Sequence, residues 1–330
     1  MSADLALLTE VLPEGIVDAH HHLWALGEGH YPWLQEGYAG TAFFLGPYES
    51  LRRDYAVADL RRDWLPLRLA ASVHVEAERA RDEQAAETRW IDAVRARDGL
   101  PGVTVGHVSF LQPDLDAVLA AHRRSPAFRG VRSKPVTAAA PGLSVAGEPG
   151  SLQDEAWLAG LARFAEHGLS WDLRVPFWHL AEAAEVVAGL PGLPVVLNHC
   201  GLPLDRSREG LSAWRRGMEA LAALPQVSVK LSEFGLRGGR WDEASTVRVV
   251  AETVALFGDD RVMFASNLPV SGLSADVPRI VSAVMRGLGT RDPERLRKVF
   301  SETARHVYRM ESTDDNKHHP RNTKPIVGGN

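Results

Sequence analysis

The run Asp18-Ala19-His20-His21-His22 concentrates side chains that ligate metals and exchange protons. At the end of a strand, side chains alternate with period two, so His20 and His22 point the same way. Two imidazoles aimed together can bind a divalent metal, or as neutral rings can polarise and orient a carbonyl group. The competing reading is a surface cluster, since a chain with 13 histidines produces His-x-His by chance. His199, after Val195-Val196-Leu197-Asn198, ends a further apolar run and offers a third imidazole. A core histidine bonded to backbone is its alternative. Cys200 beside it has the opposite strand parity and reads as a small packed hydrophobe.

Three more runs end in polar residues. Phe128-Arg129-Gly130-Val131-Arg132-Ser133-Lys134 places Arg132 and Lys134 in one direction, and a rigid guanidinium fork suits an acidic ligand. Val227-Ser228-Val229-Lys230-Leu231-Ser232 does the same for Lys230 and Ser232, and a buried Lys230 needs a counterion or a ligand. Val73-His74-Val75-Glu76 puts His74 and Glu76 opposite an apolar pair. Glu76 can act as a base, as a ligand, or as an orienter of a neighbouring histidine. Asp172 belongs to the same class, with a structural ion pair as its plain reading.

The elements that must position these residues alternate between short apolar runs and segments of helical period. Candidate strands begin near Ile16, Leu67, Gly102, Phe128, Leu169, Pro194, Gln226 and Asp260. Between them Leu158, Leu161, Ala162 and Ala165 recur at helical spacing after Ser151 and Asp154. Val247, Val250, Ala251 and Val254 do so before Gly258, and Leu211, Trp214, Met218 and Leu221 before Pro225. Strands alternating with helices predict parallel pairing, and eight such units predict an α/β fold of the (β/α)8 TIM-barrel class. The chain ends of such strands lie on one rim, which would gather the polar residues above.

Leu23 to Asp63 is too long and too aromatic for an ordinary connection, with Tyr31-Pro32-Trp33-Leu34 at its centre. It reads as a lid or pocket wall that sets Trp33 against a substrate. Glu311 to Asn330 is polar and aperiodic and reads as a disordered tail beyond a single domain over residues 1–310. The 45% hydrophobic and 24% charged fractions suit one ordinary core. A net charge of −5 supplies no field for nucleic acid. One cysteine, an acidic start and no uninterrupted apolar stretch predict a soluble, cytoplasmic protein with no membrane span. A homo-oligomer is compatible with these features.

With those motifs in hand, residues 15–310 resemble the amidohydrolase superfamily, in its amidohydrolase-2 or lactonase-type branch. The resemblance rests on Ile16 to Trp24, Tyr31 to Leu34, Val73 to Ala77, Arg129 to Arg132, Asn198 to Gly201, Val229 to Ser232, Met263 to Val270 and Thr303 to Tyr308. It implies an active site formed by His20, His22, His199 and the residue at the end of strand eight. It also implies one divalent ion, zinc or manganese, held by His20, His22 and His199, or metal-independent chemistry as in some members. Arg132 matches an arginine that contacts a substrate carboxylate, and the substrates implied are acidic or polyhydroxylated small molecules. The strand-eight residue is commonly Asp in this superfamily and is Asn267 here. An amide orients water or substrate but cannot be a general base.

The reading is therefore a hydrolase of a small cyclic ester or related carbonyl compound. His20, His22 and His199 would polarise the carbonyl, with an imidazole or Glu76 activating water. Arg132, Lys230, His74, Asp172 and Trp33 would bind substrate. Asn267 keeps two alternatives open: non-hydrolytic decarboxylation or isomerisation, and a silent barrel that only binds a ligand.

Overall fold

The computed structural model describes residues 2–37 and 43–310. Eight strands pair in parallel in sequence order: β1 (Ile16–His21), β2 (Leu69–Val75), β3 (Val103–Gly106), β4 (Phe128–Val131), β5 (Ser170–Leu173), β6 (Val195–Leu197), β7 (Val227–Leu231) and β8 (Val262–Phe264). Each starts within two residues of the position expected from its apolar run. The sheet closes where the His22 amide donates to the Leu268 carbonyl at 2.8 Å and the Asn267 amide to the His20 carbonyl at 2.7 Å. This is the (β/α)8 barrel.

Helix α1 (Ala3–Val11) precedes β1, and crossover helices follow the strands in turn: α2 (Val57–Asp63), α3 (Gln84–Asp98), α4 (Leu115–His122), α5 (Glu155–Ala165), α6 (Leu180–Ala188), α7 (Arg208–Ala222), α8 (Glu243–Phe257) and α9 (Val277–Leu288). Their ends follow capping chemistry. Asp154, Ser207, Asp242 and Asp276 each accept a first-turn amide, a bond typically worth about 1 kcal/mol. Gly258 closes α8 at φ +74°, where a side chain would be strained.

Parity divides the core into two layers. Trp171, Leu173, Val195, Leu197, Val229, Leu231 and Phe264 pack outward against the helices, whereas Val17, Val73, Val75, Val105, Val196 and Met263 fill the barrel with Tyr308. A register shift between Asp18 and His21 marks a bulge in β1. An extra residue re-aims the chain beyond it, so His20 and His22 enter the barrel while His21 meets Ser72 of β2 at 2.9 Å. Residues 57–63 are the first crossover helix, so the stretch from Leu23 to Asp63 is not a continuous loop. The expected tail, Glu311 to Asn330, lies outside the described residues. Among them, no helix is long and apolar enough to cross a membrane.

Candidate functional site

The rim at the carboxyl ends of the strands surrounds a cavity of about 1030 Å³. Its wall includes His22, Trp33, Arg132, Arg174, His199, Glu233 and Asn267. The backbone there is unusual. Glu78, His199, Cys200, Leu202, Glu233 and Asn267 all adopt φ between +47° and +60°. Left-handed backbone costs about 1–2 kcal/mol per non-glycine residue, so the surrounding packing must hold these residues in place. His199 is one correction to strand parity: β6 ends at Leu197, and a tight turn over Asn198–Gly201 delivers the ring to the rim.

The histidines form a directed chain of hydrogen bonds. Lys230 is fully buried and its Nζ lies 2.5 Å from Asp172 Oδ2. Burial pulls the Lys230 ammonium down and the Asp172 carboxylate pushes it back up; held as an ammonium by that pair, it also lies 3.2 Å from His20 Nδ1, and an ammonium only donates. The proton of neutral His20 must then sit on Nε2, which is 3.3 Å from Nε2 of His22. His22 Nδ1 is 2.7 Å from the Val75 carbonyl and must donate, leaving its Nε2 as the acceptor. His199 lies against His20 with ring centroids 4.7 Å apart, and its Nδ1 meets Ser232 Oγ at 2.9 Å. Burial first, then the nearby cations, hold His20, His22 and His199 well below the ordinary imidazole range. All three are neutral near pH 7.

Five residues expected at the site lie behind its wall. Lys230 and Asp172 are in the barrel interior, where Asp172 also accepts from Asn198 Nδ2 at 2.9 Å and from the Tyr308 hydroxyl at 2.9 Å. Lys230 is spent on Asp172 and His20, so the pair orients the histidine and does not reach the cavity. His20 itself is fully buried under His22. His74 points outward to Glu87 of α3 at 3.1 Å and accepts the Leu23 amide, so it is structural. Glu76 takes Nε of Arg132 at 2.6 Å, while Arg132 Nη2 donates to the Glu76 carbonyl at 2.6 Å. Burial pushes the Glu76 carboxyl up, but Arg132, His107 and Lys134 outweigh it and hold it down. A carboxylate so pinned is a poor proton acceptor. The Arg132 Nη1 corner is left for a ligand. Cys200 is buried with its thiol pushed up to about 11 by burial, which excludes a reactive thiolate at neutral pH.

Two wall residues escaped the sequence reading. Arg174 follows β5 directly, two residues past Asp172, and that parity was available in Asp172-Leu173-Arg174. Glu233 follows Ser232, one residue beyond the motif at the end of β7. Its Oε2 accepts from Asn267 Nδ2 and lies 3.2 Å from Ser271 Oγ. Burial raises its carboxyl to about 7. The aromatic side of the cavity comes from the stretch after β1, where Trp33 donates Nε1 to the Ala77 carbonyl at 2.9 Å and stacks on Phe43 with 24° between ring planes.

Residues 17–310 match the model of the amidohydrolase family Amidohydro_2. The chain belongs to this amidohydrolase family. It is 33% identical over 268 residues to the uncharacterised protein y4mH of Sinorhizobium fredii, covering 81% of this chain and 89% of that one. It is 25% identical to an L-fucono-1,5-lactonase of Burkholderia ambifaria over 92% of this chain and 98% of that enzyme. A Burkholderia multivorans amidohydrolase crystallised with bound zinc superposes with a TM-score of 0.70 at 25% identity, covering 90% of this chain and 99% of that one. As a member of the amidohydrolase family this chain is an enzyme of the hydrolase type.

The Burkholderia multivorans neighbour holds zinc, and whether the residues here suit such an ion depends on where their protons lie. Two imidazole nitrogens on a tetrahedral ion at about 2.05 Å stand about 3.3 Å apart. The His20 to His22 separation of 3.3 Å matches that span equally well. Proton direction decides between them: Lys230 forces a proton onto His20 Nε2, so that atom presents N–H and no lone pair. Among the described residues no three His, Cys, Asp or Glu side chains are grouped to hold an ion. The three-histidine metal site expected from sequence does not fit these residues, because Lys230 occupies the nitrogen that would leave His20 free to ligate through the other.

Proposed function

We propose that the cavity opens small cyclic esters, lactones of polyhydroxylated or acidic compounds, without a resident metal ion. The observation that carries this reading is the neutral His22 and His199 pair beside Arg174 and the Arg132 corner on one cavity wall. The His199 ring and the guanidinium donors suit a carbonyl oxygen that gains negative charge as water adds, a stabilisation worth about 3–4 kcal/mol per well-placed donor, while His22, with its nitrogens committed to Val75 and His20, keeps its place in the wall. The relatives named as lactonases support the substrate class.

Each part of the chain has its task. The ammonium of Lys230, locked on Asp172, fixes the His20 tautomer, and His20 fixes His22. Trp33, with Phe43 and Phe44, forms an apolar wall over one side of the cavity and acts as a lid that excludes bulk water. Arg132 holds a carboxylate or hydroxyl of the substrate through the nitrogen that Glu76 leaves unused. Asn267 orients, and does not deprotonate.

The test is turnover of a panel of sugar-acid and pyrone-type lactones by metal-stripped protein, followed by proton release at constant pH. Ring opening that survives chelation is expected. Release of carbon dioxide from aromatic acids without lactone opening would establish the non-hydrolytic alternative, and tight binding with neither product would establish a silent barrel.

A further inference from the structure

Water attack on a carbonyl needs a proton acceptor, and the cavity wall contains few. Asn267 is an amide. Glu78 is paired with Lys134 and with Arg81, whose Nη2 is 2.6 Å away. Glu36 sits 2.7 Å from His30 in an exposed pair. His22 Nε2 already accepts from His20, and His199 is held far below the range in which an imidazole takes a proton at neutral pH. Among the described residues, Glu233 is the wall carboxylate with an acceptor to spare. Its Oε2 is engaged by Asn267 and Ser271, whereas its Oε1 is buried beside the Gly235 backbone and makes no hydrogen bond of good geometry. Asn267 Oδ1 is likewise buried and unpartnered, because Nδ2 of the same amide is fixed on Glu233. Two orphaned acceptors on adjacent side chains are rare in folded proteins, and together they match the two hydrogens of one water molecule.

We infer that Glu233 is the general base of this enzyme, with Asn267 Oδ1 holding the second hydrogen of the attacking water. The assignment rests on the lactone reading above. The water oxygen bonds to the carbonyl carbon while its proton passes to Glu233 Oε1. The ring carbon–oxygen bond then breaks, and the proton on Glu233 moves to the departing ring oxygen, which becomes the free hydroxyl of the hydroxy acid. The acid group formed releases its own proton to solvent. Burial of Glu233 suits this cycle, since a carboxyl near 7 both accepts and returns a proton at neutral pH. Arg174 is the cation acting on it from the end of β5, opposing the effect of burial. The amide at position 267 then has a physical reason: an aspartate in contact with Glu233 would force two carboxylates to share one proton.

Glu233→Gln keeps an oxygen for Asn267 and Ser271 but removes the base. Lactone kcat is expected to fall by about 100-fold or more with KM little changed. Wild-type kcat should rise with pH through about 7 as Glu233 ionises, and Glu233→Gln should lose that limb while Glu233→Asp keeps it. Because a buried carboxyl change can impair folding, infrared carboxyl absorption of substrate-free protein provides a second readout: burial also pushes Asp18 up to about 6 and Glu87 up to about 8, so the wild-type minus Glu233→Gln difference spectrum should contain one carboxyl band titrating near 7. Wild type that opens no lactone of the panel overturns the proposed function and this role with it. Wild type that turns over, with Glu233→Gln equally fast or its pH limb intact, overturns the Glu233 assignment alone. So does a difference spectrum that contains no carboxyl titrating near 7.

Discussion

Replacing Arg132 by methionine is expected to lower the free energy of unfolding by about 3–5 kcal/mol, the range for removing one partner of a buried ion pair. Glu76 is fully buried, and its Oε1 receives the guanidinium at 2.6 Å. Truncation strands that carboxylate among His107 and the strand ends of β2, β3 and β4 with one strong donor gone. The loss should be visible as a lower urea midpoint at unchanged slope. A second replacement, Glu76→Gln, should recover most of the stability, because it removes the stranded charge instead of the contact. Binding of an acidic lactone should not return in the double variant, which separates the anchor from the scaffold.

Replacing Lys230 by methionine should cost a similar amount, about 3–5 kcal/mol, and should also act on the chemistry. Asp172 keeps the Tyr308 hydroxyl and Asn198, but loses its ammonium in a fully buried setting. More important, His20 Nδ1 loses the donor that fixes its tautomer. Nitrogen-15 spectra of the wild-type histidines should show His20 protonated on Nε2 and His22 on Nδ1; in Lys230→Met the His20 signal should become a mixture. Lactone kcat should fall by about 10- to 100-fold, the usual effect of releasing a group that orients a functional histidine. A His20 that stays on one tautomer after the substitution would mean that the ammonium does not set it.

How much of this is legible in the sequence depends on the period of each element. Strand starts are readable because buried parallel strands are continuous apolar runs, and Val195-Val196-Leu197 or Val227-Ser228-Val229 leave little choice. The shared direction of His20 and His22 follows from the alternation of side chains, whereas their turn into the barrel depends on the bulge between Asp18 and His21, which no periodicity shows. Parity fails where the chain leaves the strand. His199 and Glu233 reach the cavity through left-handed backbone at φ +60° and +50°, which no periodicity announces. Parity also gives no depth: Lys230 and Asp172 share the inward direction with His20, yet their mutual attraction keeps them beneath the cavity floor. His74 shows a third limit. Its outward turn toward Glu87 depends on which helix covers β2, a tertiary fact that Val73-His74-Val75-Glu76 does not contain.

The chemistry stands on one convergence, that of a reacting carbonyl with His199 and Glu233. A crystal structure of the Glu233→Gln variant holding an unopened lactone tests it most directly. The predicted result is a carbonyl oxygen within hydrogen-bond distance of His199 or Arg174, and a carbonyl carbon facing the side chain at position 233 across one water molecule. A lactone seated against the Trp33 wall with its carbonyl turned away from His199 and Arg174 would contradict it.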